Sequence, residues 1–120
     1  MTILELVKSS TEISTDPQIF ETGCKDLGLS LPEFCDAFAI EVARQYHNGF
    51  LSWDDCDGAI NSLFYAYVHN FDQATFPELA YSVFSAFDDG EYLHPGDPES
   101  FDPQTHTKTQ IKTIISRLGA

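Results

Sequence analysis

The chain has 120 residues, 42% of them apolar, with ten Phe, five Tyr and one Trp, and sets 19 acids against six bases for a net charge of −13. That is one domain with enough apolar side chains to bury a core without metal or disulfide staples, which excludes a disordered chain. No apolar run approaches the ~20 residues of a membrane span, and the N-terminus lacks the basic-then-apolar order of a secretory signal.

The distribution of charge says more than its total. Residues 1–44 hold eight acids and three bases, Gln45 through Thr107 hold eleven acids and no Lys or Arg, and Lys108 onward holds three bases and no acid. Such an uncompensated anion repels nucleic acid and anionic membranes and favours a basic protein or cations, although plain solubility explains it equally well. Cys24, Cys35 and Cys56 are an odd number, each at an apolar helical position, with no ligand-like spacing. They read as reduced core residues of a cytoplasmic protein, not as a zinc site.

Met1 to Ser14 is weakly patterned, and Ile3, Leu4 and Val7 fit either a short helix or an arm. Asp16-Pro17 reads as a cap followed by Pro at the first helical position. Ile19, Phe20, Cys24 and Leu27 then share one face, and Gly28 with Leu29 gives a glycine stop with a following apolar contact. Gly23 inside this helix costs ~1 kcal/mol relative to Ala, so the helix is short or depends on packing.

Ser30 to His47 reads as a strong helix. Ser30 caps it, Pro32 and Glu33 stand in its first turn, and Asn48-Gly49 ends it. Phe34, Cys35, Phe38, Ala39, Val42 and Tyr46 make its apolar face, with Glu33, Asp36, Ile40, Arg44 and His47 opposite. Only Phe50, Leu51 and Ser52 then separate it from the next helix, so the two are neighbours.

The clearest helical signal runs from Ser52 to Phe71. Trp53, Cys56, Ile60, Leu63, Phe64, Tyr67, Val68 and Phe71 recur at helical spacing and cover an arc of about 140°. Ser52 with Asp55 resembles a capping box with a shorter acid, and Asp54, Asp55 and Asp57 suit the positive end of the helix dipole. Asp72 to Thr75 reads as a polar loop. Thr75 then caps a helix with Pro77 and Glu78 in its first turn and Phe76, Leu79, Ala80, Val83, Phe84 and Phe87 as its stripe, and Gly90 stops it. Glu91 to Thr105 is the one long irregular stretch, broken by Pro95, Gly96, Pro98 and Pro103. The last helix runs from about His106 to Leu118, with Ile111, Ile114, Ile115 and Leu118 inward and Lys108, Lys112 and Arg117 outward. The expected fold is therefore all-α, a compact single-domain bundle of four to five helices with one long loop before the last.

Two places could carry chemistry. Helical projection puts Asp57 about 20° from Phe64, inside the apolar arc, with Asn61 one turn on at its edge. A carboxylate so placed must find donors or raise its pKa. The structural reading is a satisfied cap or backbone contact, and the functional one is a carboxylate and amide facing a pocket. The second place is FDDGEYLHPGD, Phe87 to Asp97, where Asp88, Asp89, Glu91, His94 and Asp97 gather at a helix C-terminus whose carbonyls also attract cations. A divalent metal held by Asp88, Glu91, His94 and Asp97 is one reading, and a solvated acidic turn is the other. It is no EF-hand, because Gly90 at the sixth loop position puts Ser85 first and no Glu twelfth. His47 and His69 read as surface or packing residues, and His106 as a residue of the last helix's first turn.

No phosphate loop, GxSxG, HExxH or activated Cys is present, so an enzyme is disfavoured, although carboxylate pairs assemble in space and leave no motif. The runs SWDDCDGAINSLF and VFSAFDDGEYLHPGD resemble small acidic all-helical bacterial proteins of uncharacterised families. In size, charge and helical content the chain is also similar, at class level, to immunity proteins that neutralise basic bacterial toxins. The resemblance spans about Leu31 to Asp97 and implies a toxin as partner, without assigning binding residues. From the charge itself the expectation is a non-enzymatic protein that meets a basic partner through Asp54, Asp55, Asp72, Asp88, Asp89 and Glu91. The alternatives are a divalent-metal protein or metal-assisted enzyme, and a helical scaffold component that associates through aromatics such as Tyr65 and Tyr81.

Overall fold

Caps written into the sequence set most helix ends of this chain. The computed structural model describes residues 2–12, 16–70 and 76–118, with His69 and Asn70 by their backbone alone. Among the described residues there are six α-helices and no strand: α1 (Ile3–Ser9), α2 (Gln18–Leu27), α3 (Leu31–His47), α4 (Trp53–Asn70), α5 (Glu78–Asp88) and α6 (Gln104–Arg117). The all-α class holds, with six helices rather than four to five. None of them is long and apolar enough to cross a membrane.

The added helix is α1. Thr2 caps it by accepting from the Glu5 N–H, and Leu6 and Val7 are fully buried against the bundle. Seven residues are too few for a stable isolated helix, so its order comes from these contacts. The chain then crosses α4 at Gly58, where Ser62 Oγ stands 2.8 Å from both the Glu12 and the Gly58 carbonyls. A methyl at Gly58 would overlap the Thr11 carbonyl, and one at Gly23 of α2 would press on Leu6 and Phe34. Both helical glycines are therefore close-approach positions.

Two sequence signals take their expected form. Gly28 has φ 67°, with its N–H on the Lys25 carbonyl and the Leu29 N–H on the Cys24 carbonyl, the paired bonds of a Schellman stop. Ser30 and Glu33 form a full capping box at the start of α3. Helix α3 packs against all five others, so the hub of the bundle is α3 and not the more strongly patterned α4. Its Phe34 and Phe38 meet Phe20 edge-on, while Tyr46 meets Phe87 in the same way. Cys35 and Cys56 are fully buried, and burial pushes both thiols up to about 12, which keeps them protonated and inert.

Several details differ from expectation. Val68 is 54% exposed, because the side of α4 that faces its neighbours is completed by Ala59 and Ala66 instead. Asp36 belongs to a contact rather than to the outer face. Pro77 offers α5 no side-chain cap, and the Asp36 carboxylate reaches across from α3 to accept the Ala80 N–H at 3.2 Å. The last helix begins at Gln104, two residues early, since Asp102 accepts the Gln104 N–H and Pro103 supplies a ready helical φ. The expected Asp72 to Thr75 loop, the Thr75 cap and Phe71 lie outside the described residues.

One hydroxyl joins three helices. Thr107 Oγ1 of α6 donates to the Ala86 carbonyl at 2.6 Å and accepts from Trp53 Nε1 at 3.0 Å. Ala86 is among the last four residues of α5, whose carbonyls lack partners within the helix. Replacement of Thr107 by the near-isosteric Val should cost about 1–3 kcal/mol in urea denaturation, because it strands a buried carbonyl and an indole N–H. Gly58→Ala tests the α1 crossing against intrinsic propensity. Propensity alone predicts a gain of ~1 kcal/mol, whereas the overlap with Thr11 predicts a net loss of about 1–3 kcal/mol in the same assay.

Candidate functional site

Asp54, Asp57, Asp88 and Glu91 come together where the start of α4, the end of α5 and the following loop meet. Gly90 is buried, and a side chain there would collide with Thr107 Oγ1 and stand 3.0 Å from Trp53 Nε1. Its lack of a side chain lets the turn after α5 lie directly on the first turn of α4. Glu91 thereby faces Asp57 across an open cleft of about 390 Å3 whose lining also includes Trp53, Asp102 and Pro103.

Asp57 is half-buried in this cleft. Asn61 Nδ2 donates to its Oδ1 at 2.9 Å and to its backbone carbonyl at 2.8 Å. Burial is the main reason its pKa rises from 3.8 to about 6, and the charges of Glu91, Asp88 and Asp54 add to the rise against the Asn61 bond. The carboxylate is partly satisfied by the Asn61 side chain, rather than by a helix end or a neighbouring backbone group, and it lines the cleft. The charges that act on it are those of acids.

Of the acids whose charge acts on it, Asp54 and Glu91 are exposed and Asp88 is half-buried; of the other two named from the sequence, Asp55 is exposed and Asp89 half-buried. The Asp55 N–H donates to Ser52 Oγ at 3.1 Å, so Ser52 caps α4. Asp89 Oδ2 accepts from Gln110 Nε2 of α6 at 2.9 Å. Among the described residues no Lys or Arg lies within ion-pair distance of these six carboxylates. Of the tail bases, Lys108 and Lys112 line an adjoining groove of about 550 Å3 with Tyr46 and Leu51, which shares Trp53 and Gln104 with the cleft. Tyr92 and Leu93, next to Glu91, are 53% and 39% exposed. Asp72 lies outside the described residues.

The loop brings a second set together. Asp97 Oδ2 accepts the His94 backbone N–H at 2.8 Å and lies 2.7 Å from His106 Nε2. These bonds, the His106 one first, hold its carboxyl below the usual carboxylate range. His94 Nε2 lies 2.8 Å from the Asp89 carbonyl, and the His94 and His106 rings stack 3.9 Å apart and 6° from parallel. Of the four residues named for a metal, His94 and Asp97 stand with His106, and Asp88 and Glu91 stand with Asp57. His106 sits in the first turn of α6 as expected. Its meeting with His94 depends on the path of the proline-rich loop, which spacing alone does not give.

Asp57 yields a pH prediction. Its proton is held more tightly in the folded than in the unfolded chain, so stability falls as pH rises from about 4 to about 6, and the full cost is present at pH 7. Half exposure screens that cost to about 1 kcal/mol. Asp57→Asn should therefore raise stability by about 1 kcal/mol at pH 7 and leave it unchanged near pH 4, as read by urea denaturation at both pH values. No family model, curated protein or solved structure matches the chain, so the chemistry of this end of the bundle rests on its own side chains.

Proposed function

We propose that the chain is a non-enzymatic binding protein whose acidic end receives a basic protein. The observation that carries this reading is the group Asp54, Asp57, Asp88 and Glu91, flanked by Asp55 and Asp89, none of which is in an ion pair with a Lys or Arg among the described residues. Folding gathers like charges here at a cost, and an external cation would repay it. Basic side chains entering the cleft would lower the Asp57 pKa again, so binding near pH 6 releases a proton. Exposed Tyr92 and Leu93 supply apolar anchors inside an acidic rim, the usual make-up of a protein interface. Among basic proteins a bacterial toxin, such as a nuclease, is the class to test first, because size, charge and helical build are similar to those of immunity proteins.

The test is capture of partners by the wild-type chain at low and high salt, followed by kinetics with the captured protein. Captured proteins should be basic, and association should slow by at least about tenfold between 50 and 500 mM salt. Asp54→Asn with Glu91→Gln should lower the association rate, while Tyr92→Ala should speed dissociation and weaken binding by about 1–2 kcal/mol. Partners without basic bias, or binding indifferent to salt, would sink the reading.

A further inference from the structure

We infer that His94, Asp97 and His106 form a binding site for a divalent transition-metal ion of the imidazole-preferring kind, such as Zn2+, Ni2+ or Co2+. One ligand atom from each of the three side chains lies within 4.8 Å of the other two, and each residue is half-buried. The ligands come from two separate pieces of the chain, the loop after α5 and the first turn of α6, so an ion would staple one to the other.

The tautomer of His94 is set for this task. A carbonyl only accepts, so at 2.8 Å from the Asp89 carbonyl the His94 Nε2 carries the ring proton, and Nδ1 carries the free lone pair. A ring N–H given to a backbone carbonyl is the usual outer partner of a metal-ligating histidine. His94 and Asp97 are further fixed by a tight turn, with the Asp97 N–H on the His94 carbonyl at 3.0 Å and the His94 N–H on Asp97 Oδ2. Metal–ligand bonds of ~2.0–2.2 Å put neighbouring ligand atoms ~3.3 Å apart around a tetrahedral ion. The 2.7 Å contact between Asp97 and His106 must therefore open by about 0.6 Å, with loss of the proton that His106 Nε2 gives to Asp97. One of the two near-parallel rings must also rotate to bring its lone pair to the ion, and both movements are open to partly exposed side chains. Two imidazoles and one carboxylate leave the remaining positions to water. They favour these ions over Ca2+ and Mg2+, which take oxygen ligands. The site is independent of the partner reading, and either can fail alone.

The experiment uses the full metal-stripped chain, melted with and without Zn2+, Ni2+, Co2+, Mg2+ and Ca2+. At 100 times the dissociation constant a bound ion should raise the melting midpoint by several degrees for the first three and not for Mg2+ or Ca2+. The shift should vanish in His106→Gln and in His94→Ala, each compared with its own metal-free melt. In the wild type, Co2+ should give an absorption spectrum without a thiolate band and should broaden the imidazole resonances of His94 and His106, a readout that needs no substitution. No shift and no broadening would overturn the proposal. So would a shift retained when both histidines are replaced, or a thiolate band assigning the ion to the cysteines.

Discussion

The hydroxyl of Thr107 is the constraint on which the acidic end depends. It satisfies an end carbonyl of α5 and the indole N–H of α4 at once, from the second turn of α6. A hydroxyl has one proton to give, so the Ala86 carbonyl takes it and the Trp53 N–H occupies a lone pair. That division fixes the approach of all three helices, and it leaves no room for a side chain at Gly90. Everything downstream follows from this close approach. Glu91 is delivered to the mouth of the Asp57 cleft, and the loop leaves in the direction that returns it to α6 at Asp102.

This end is purchased against electrostatics. Asp57 sits among Glu91, Asp88 and Asp54 with a single amide for company, and its raised pKa records both lost water and like charge. The opposite end carries no such burden. There Phe20, Phe34 and Phe38 pack edge to face, a box caps α3, and α1 seals the core with Leu6 and Val7. The bundle is thus asymmetric. Apolar packing and caps hold one part, and polar junctions arranged around unpaired carboxylates form the other. The Asp36 bond to the Ala80 N–H is another such junction, and it positions the start of the helix whose end bears Asp88.

Local signals were legible in the sequence and long-range ones were not. Ser30 with Glu33, the Gly28 stop and the Ser52 cap are written within a few residues, and each helix end they imply is present. The apolar stripe of α4 was also readable, except where Val68 lies at the margin of the arc and outside the contact surface. Helix α1 was ambiguous because its seven residues are ordered by surfaces on α3 and α4 that no local pattern describes. Asp36 and His106 read as ordinary surface or helix residues, and Thr107 carries no signal at all, for the same reason. Each acts through a partner 9 to 54 positions away. Periodicity did flag Asp57 as misplaced, but the identity of the charges facing it needed the turn at Gly90.

The loop after α5 is better ordered than its prolines suggest, and this bears on what it can bind. Asp89 is held twice, through its carboxylate by Gln110 and through its carbonyl by His94. Asp97 closes the tight turn at His94 and meets His106, whose ring stacks on that of His94 and lies 5.1 Å from Phe101. Glu91, Tyr92 and Leu93 occupy the short span between these anchors, exposed but tethered on both sides. Ordering a free loop on binding costs about 0.5–1.5 kcal/mol for each immobilised side chain, and a loop already tied at both ends avoids part of that loss. The Asp89 carbonyl that orients His94 follows directly on Asp88, whose charge acts on Asp57, so the histidine pair and the acidic cleft lean on the same short stretch of chain.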